Sequence, residues 1–141
     1  MKIIVAVACV LATATVVRGI DQDIIPKYME YLMPDVKPCA DELHITEEQA
    51  TNVQSPHGEA DLKVMGCLKA CVMKRMNVLT GLDFHVEPIL KMIETVHAGN
   101  DAEIDMVKNI AKECVGTLSG ETDECNIGNK YTDCYIEKIF S

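Results

Sequence analysis

The sequence has few aromatic residues and no tryptophan: tyrosine and phenylalanine together make up 4% of the chain. It also lacks the G-x-S-x-G, H-E-x-x-H, P-loop and dinucleotide-binding motifs that mark common enzyme classes. None of its four histidines is followed by aspartate, which excludes the His-Asp pair typical of small secreted phospholipases A2. We therefore predict that the protein is not an enzyme and needs no cofactor.

Basic residues are fewer than acidic ones: the chain has 13 Lys and Arg and 22 Asp and Glu, which gives a net charge of −9. A strongly acidic chain is repelled by phosphate backbones and by anionic membrane surfaces. The charge therefore excludes nucleic acid as a partner and suits a protein that stays dissolved at high concentration.

Long apolar runs are absent except at the start of the chain. Met1 and Lys2 precede an almost wholly apolar run that ends at Val17, and Val17-Arg18-Gly19 then offers small residues at the two positions that a signal peptidase reads. The run is shorter than the roughly 20 residues of a membrane span and has the layout of a secretory signal peptide. We predict a signal peptide over 1–19, a secreted extracellular protein, and a single domain over 20–141.

Six of the seven cysteines lie outside this leader, because Cys9 falls within it. An even count in a small secreted chain predicts three disulfides, although six cysteines allow 15 pairings. Cys67 and Cys71 share one face of a helix, so we expect them to bond to two different segments. A zinc site is disfavoured because no second close pair of Cys or His accompanies the C-x3-C spacing, and we expect no metal.

Apolar residues recur at helical spacing through most of the chain, and no stretch alternates as a strand would. We expect an all-α fold of about six helices. Pro34 and Pro38 are expected to break or restart the first one, which places Cys39 early in a continuing helix. The predicted helices cover 21–33, a short stretch from the capping box at Thr46 to Gln49, 59–76, 86–98, 101–118 and 124–140, with 77–85 and 119–123 as loops.

The apolar faces of these helices lack bulky aromatic residues but include many of the eight methionines. Methionine fills irregular space and adapts to different neighbours. Disulfides that hold helices apart as well as together allow an internal cavity to persist. Two interpretations remain open on this basis: a binding module with an apolar cavity, and a structural domain without a ligand.

The cysteine spacing is C-x27-C-x3-C-x42-C-x10-C-x8-C from Cys39 to Cys134. This pattern resembles the six-cysteine insect odorant-binding proteins, including the pheromone-binding and general odorant-binding types. The x3 and x8 intervals match, and the longer intervals fall where that family varies. The resemblance covers the whole chain after the leader.

The resemblance implies the pairing Cys39–Cys71, Cys67–Cys125 and Cys114–Cys134, and six helices around a hydrophobic cavity. It also implies a secreted carrier, without metal or cofactor, that transports small hydrophobic odorants or pheromones through aqueous lymph to membrane odorant receptors. The alternative is a family member that sequesters or transports hydrophobic molecules in haemolymph, saliva or a glandular secretion. Either would be a monomer or a weak homodimer.

Candidate pocket residues follow from the helix faces, although each could equally be a core residue that touches no ligand. They are Met65, Leu68, Val72, Met76, Ile89, Met92, Ile93, Val107, Ile110, Ala111, Val115, Tyr135, Ile139 and Phe140. Residues 135–141 are too few to refold into the cavity and are predicted to form a wall or lid, with Phe140 as the plug.

His97 falls on the apolar side of its helix and is the candidate for a pH switch. A buried neutral histidine that takes up a proton in acid would loosen the pocket and release the ligand. The alternative is a partly exposed histidine at a helix end, without such a role.

Overall fold

The computed structural model describes residues 20–46 and 59–141, with side chains in the second range from residue 62 onward. Neither the predicted signal peptide nor the short helix expected after Thr46 lies within these ranges. The described chain is all-α, which confirms the predicted fold class. Its α-helices are α1 (Ile25–Glu42), α2 (Glu59–Arg75), α3 (Glu87–Val96), α4 (Asp101–Val115) and α5 (Glu124–Phe140).

Helix α1 runs unbroken through both of its internal prolines. The prediction that Pro34 and Pro38 interrupt it is wrong, and Cys39 lies near the end of the helix instead of near a new beginning. The two prolines are four residues apart and both are exposed. A proline at position i cannot donate to the carbonyl of residue i−4, and on the exposed face water can satisfy the carbonyl that is left without a partner.

The loop predicted between the second and third long helices contains a small antiparallel hairpin. Strands β1 (Leu79–Thr80) and β2 (Asp83–Phe84) pair with each other, and Gly81 in the turn has a φ of +61°. Glycine adopts this left-handed conformation without the steric penalty of a side chain. The hairpin closes one end of the core, since Leu79 is buried.

Helices α2 and α5 make the most extensive contact between any two elements in the described chain. Gly66 on α2 meets Gly128 on α5, and a Cβ atom at Gly128 would lie 2.5 Å from the carbonyl oxygen of Gly66. Next to this contact Cys67 bonds to Cys125, with only 4.2 Å between their Cα atoms. The two backbones therefore touch directly, which only residues without a side chain permit.

All three disulfides form with the pairing that the family resemblance implies. Besides Cys67–Cys125, Cys39–Cys71 links α1 to α2 and Cys114–Cys134 links α4 to α5. Cys67 and Cys71 thus bond to different helices, as their shared helix face predicts. Together the bridges tie four of the five described α-helices into one framework.

The buried residues form two adjoining hydrophobic clusters, one that includes α3, α4 and α5 and one between α1 and α2. The start of the described chain joins the first cluster, and the backbone N–H of Ile20 donates to the carbonyl of Ile139 at 2.9 Å. No helix among the described residues has the length and apolar character needed to cross a membrane.

Candidate ligand-binding site

A cavity of about 370 Å³ lies within this framework, mainly between α1, α2 and α5. Ligand sites for small molecules begin at roughly 300 Å³, so the cavity has room for a small guest. Its wall consists of Ile25, Tyr28, Met29, Leu32, Val36, Met65, Leu68, Lys69, Val72, Met73, Met76, Val78, Ile89, Met92, Tyr131, Thr132, Tyr135, Ile136, Ile139 and Phe140.

The chemistry of this wall is predominantly apolar, with a small polar portion. Five of its side chains are methionines, whose unbranched thioethers adapt to guests of different shape. Among the described wall residues, the polar side chains are those of three tyrosines, Thr132 and Lys69. A site of this kind favours an apolar molecule whose orientation is set by one or two polar contacts.

Nine of the fourteen residues predicted to form the pocket lie in this wall. They are Met65, Leu68, Val72, Met76, Ile89, Met92, Tyr135, Ile139 and Phe140. The other five belong to the surrounding core and do not line the cavity, and they are Ile93, Val107, Ile110, Ala111 and Val115.

The position of α4 explains why its four predicted residues miss the cavity. Tyr131 of α5 lines the cavity, and its hydroxyl donates to the backbone carbonyl of Ala111 on α4 at 2.8 Å. Helix α4 therefore packs behind α5. An apolar helix face shows which side is buried, but it does not show whether a cavity or another helix covers that side.

Helix α1 supplies wall residues that the sequence-based prediction omitted. Ile25, Tyr28, Met29, Leu32 and Val36 all line the cavity. The first four follow the i, i+3, i+4, i+7 spacing of a buried helix face, so the same periodicity that selected the other helices would have found them.

The predicted lid at the end of the chain is part of α5. This helix continues to Phe140, and Ile139 and Phe140 contribute to the cavity wall from its last turn. The segment after Cys134 is thus a helical wall, and whether Phe140 acts as a plug for a ligand remains a prediction.

A chain of polar side chains leads from the cavity wall toward solvent. The Tyr135 hydroxyl lies 2.6 Å from the Tyr28 hydroxyl, which lies 2.6 Å from Nε2 of His97. Nδ1 of His97 is in turn 2.5 Å from a carboxylate oxygen of Glu103. Buried polar groups need hydrogen-bond partners. These four side chains supply them to one another from α1, α5, the end of α3 and the first turn of α4.

His97 is only 2% exposed, so the interpretation of a partly exposed histidine is wrong. It follows directly after α3, where Gly99, with a φ of +94°, turns the chain toward α4. Asn100 caps α4 by accepting from the N–H of Glu103 at 3.1 Å. The cap brings Glu103 back beside the imidazole only six residues along the chain, and acid-triggered release stays a prediction.

Burial shifts the titration of the polar wall residues. It is the main cause that raises the pKa of Tyr28 to about 12, and the Glu103 charge nearby acts in the same direction. Burial likewise raises the pKa of Tyr131 and of Tyr135 above the ordinary range of tyrosine. These phenols therefore keep their protons at physiological pH and act as neutral hydrogen-bonding groups.

Lys69 is the only cation among the described residues of the wall. Burial lowers its pKa, while the charge of Asp133 opposes this effect. Its ammonium donates to the side-chain oxygen of Asn129 at 3.1 Å, and Asn129 donates to the carbonyl of Leu62. The ammonium is thus held by a polar group of α5 and is not an isolated charge in the cavity.

The sequence profile of the PBP/GOBP family matches residues 21–138 of the chain. The protein belongs to this family of insect odorant-binding proteins. Members of the family are small-ligand carriers, which agrees with an apolar cavity and with the prediction that the chain is not an enzyme.

A solved structure of a pheromone-binding protein from the cockroach Leucophaea maderae, in complex with the fluorescent reporter 1-anilinonaphthalene-8-sulfonic acid, has the same fold. The TM-score is 0.62 at 17% sequence identity, over 79% of this chain and 95% of the cockroach protein. A search of curated protein sequences returned no match to this chain.

Proposed function

We propose that this odorant-binding protein is a secreted carrier that encloses a small hydrophobic odorant, pheromone or similar molecule and transports it through aqueous lymph to membrane receptors. The observation that carries the proposal is the apolar cavity of about 370 Å³, enclosed by helices that the disulfides hold together. The predicted signal peptide supports secretion, and the cockroach protein, solved in complex with a fluorescent reporter, supports binding of a small molecule.

Binding is tested by displacement of the uncharged fluorophore N-phenylnaphthylamine with long-chain alcohols, esters and terpenoids. In the variant Val72→Phe a larger side chain enters the cavity from α2, and we expect the affinity for the fluorophore to fall about tenfold or more, because the added ring takes up space that the guest needs.

Val64→Phe is the matched control, because Val64 lies on the same helix but is exposed and outside the wall. It should bind as the wild type does. Equal affinities for Val72→Phe and the wild type would contradict binding in this cavity.

The olfactory role and the alternative role in another secretion are separated by tissue. Enrichment in antennae supports delivery of odorants, and absence from antennae together with presence in saliva, haemolymph or a gland supports the alternative. Native mass spectrometry of protein from that tissue then reports the bound molecule and whether the carrier is a monomer or a weak homodimer.

A further inference from the structure

The hydrogen-bonded series of side chains Glu103, His97, Tyr28 and Tyr135 begins near solvent at Glu103 and ends in the cavity wall at Tyr135. Tyr28 and Tyr135 line the cavity, whereas His97 and Glu103 do not. The Glu103 side chain is 24% exposed, and that of His97 is fully buried. Every hydrogen bond in such a chain needs one donor and one acceptor, so the group at the solvent end constrains all the others.

The solvent end is a pure acceptor. Asn100 holds the Glu103 carboxylate in place, since its amide nitrogen lies 3.3 Å from Oε2 while Oε1 faces His97. An ionised carboxylate has no proton to donate. Nδ1 of His97 must therefore carry a proton and donate it to Glu103.

The donor and the acceptor of each remaining hydrogen bond can be assigned in the same way, from His97 to Tyr135. In the neutral imidazole that carries its proton on Nδ1, Nε2 of His97 is an acceptor. The Tyr28 hydroxyl is its only neighbour along the chain and donates to it. Tyr28 has then used its one proton, so Tyr135 donates to the oxygen of Tyr28.

The last hydroxyl is left with lone pairs and no free proton. Tyr28 is the only hydrogen-bond partner of the Tyr135 hydroxyl among the described residues. We propose that Glu103, acting through His97 and Tyr28, orients the hydroxyl of Tyr135 as a hydrogen-bond acceptor for the ligand, so that the cavity selects alcohols over ketones, esters and ethers of the same shape.

This inference rests on the proposed function, because it names the chemical class of the guest. An alcohol donates to Tyr135 and satisfies both groups. A ketone offers only lone pairs, and its carbonyl and the Tyr135 oxygen would then share a largely apolar cavity without a proton between them. A buried polar group without a partner lowers affinity by more than a hydrogen bond adds.

The test compares a medium-length secondary alcohol with the methyl ketone of the same carbon skeleton, each displacing N-phenylnaphthylamine at neutral pH. The measured quantity is the affinity for the alcohol divided by the affinity for the ketone. This ratio cancels differences in overall stability between variants. In the wild type we expect this ratio to be about five- to tenfold higher than in the double variant Tyr28→Phe with Tyr135→Phe, which lacks both linked hydroxyls of the wall. An equal ratio in both proteins would overturn the proposal.

Tyr28→Phe should also lower the affinity for the alcohol relative to the ketone, but through a gain in affinity for the ketone, which a merely structural role of Tyr28 would not produce. Without Tyr28 the proton of Tyr135 has no internal acceptor and becomes free to bind a carbonyl. The ketone should therefore gain affinity about fivefold relative to the alcohol. Tyr31→Phe is the control on the same helix, since Tyr31 is exposed and outside the wall, and its ratio should equal that of the wild type.

Glu103→Gln tests the positioning role of the carboxylate. A glutamine amide can donate as well as accept, so the order of protons is no longer imposed, and the ratio should fall to within about twofold of that of the double variant Tyr28→Phe with Tyr135→Phe. Glu113→Gln removes an exposed carboxylate that pairs with Lys138, and should not change the ratio. A wild-type ratio in Glu103→Gln would overturn the role of Glu103.

Nitrogen NMR of the imidazole gives a direct readout that does not depend on any variant. The wild type should show His97 as a neutral ring with its proton on Nδ1, and a proton on Nε2 would overturn the proposed order. If neither ligand displaces the fluorophore from the wild type, the carrier function itself fails. Displacement without a preference for the alcohol overturns only the inference about Tyr135.

Discussion

Helix α2 has two sides that differ in how closely a neighbour approaches. On one side Gly66 and Ala70 allow the backbone of α5 to touch α2, and Cys67 bonds across the contact. On the other side Met65 and Val72 face the cavity. Helix α2 therefore packs directly against α5 along one side and lines the cavity along the other.

The difference shows that the cavity depends on the close contact as much as on its own wall. At Gly66, Gly128 and the Cys67–Cys125 bridge, α2 and α5 touch through backbone atoms. Backbone atoms cannot rotate aside as a side chain can, so they fix the relative position of the two helices. The long side chains beyond that contact then enclose a volume that they do not fill. Changes to the close side should therefore affect folding, whereas changes to the cavity side should affect binding.

The largest expected effect comes from removing the bridge at the close contact. The double variant Cys67→Ala with Cys125→Ala opens a loop with a sequence separation of 58 residues, and should lower the free energy of unfolding by about 4 kcal/mol. Removing Cys114–Cys134, with a separation of 20, should cost about 3 kcal/mol. Denaturant unfolding of both variants gives the comparison, and a larger loss for the shorter loop would contradict it.

A single methyl group at the close contact should have the next largest effect. Gly128→Ala places a Cβ atom 2.5 Å from the Gly66 oxygen and 2.9 Å from the Ala70 nitrogen, both of them backbone atoms. Although alanine normally stabilises a helix, we expect a loss of about 3 kcal/mol because the helices must move apart.

Gly116→Ala is the control for this substitution, because nothing lies within 4 Å of its Cβ position. Its φ of −62° also suits alanine, so we expect no loss of stability. Similar unfolding free energies for the two variants would show that helix propensity, and not the close contact, governs both.

The cavity wall that α1 contributes should affect stability at alkaline pH through Tyr28, with a smaller effect. The pKa of Tyr28 is about 12 in the folded protein and 10.0 in the unfolded reference. Its contribution to stability is therefore fully present below pH 10 and is lost as the pH rises toward 12, by about 2 kcal/mol. Unfolding free energies across this range, with tyrosinate absorbance as the probe of ionisation, should show a smaller loss for Tyr28→Phe than for Tyr31→Phe.

Helical periodicity was sufficient to predict α2, α3 and α5 almost to the residue, because each has an apolar face that must be buried. It failed at α1, where the prolines suggested a break that their exposed position makes unnecessary. The disulfide pairing could not be derived from spacing alone and came from the family resemblance. The role of Gly66 and Gly128 could not be predicted either, since glycine within a helix signals a loss of propensity until its neighbour is known.

The candidate site was predictable only in part, for a related reason. Val107 and Ala111 are as apolar and as deeply buried as the wall residues, yet α5 separates them from the cavity. The partners of His97 come from α1 and from the first turn of α4, and no local pattern connects Tyr28 with Glu103. Long-range placement of this kind depends on how helices stack, which periodicity does not encode.

The prolines of α1 also bear on the stiffness of the cavity wall. Pro34 and Pro38 leave the carbonyls of Glu30 and Pro34 without their usual donors inside the helix. A helix that lacks two bonds on its outer face bends at lower cost than one with a complete set. Leu32 and Val36 face the cavity from this same stretch. The part of the cavity wall that α1 provides can therefore bend more easily than a helix without internal prolines would in the same place.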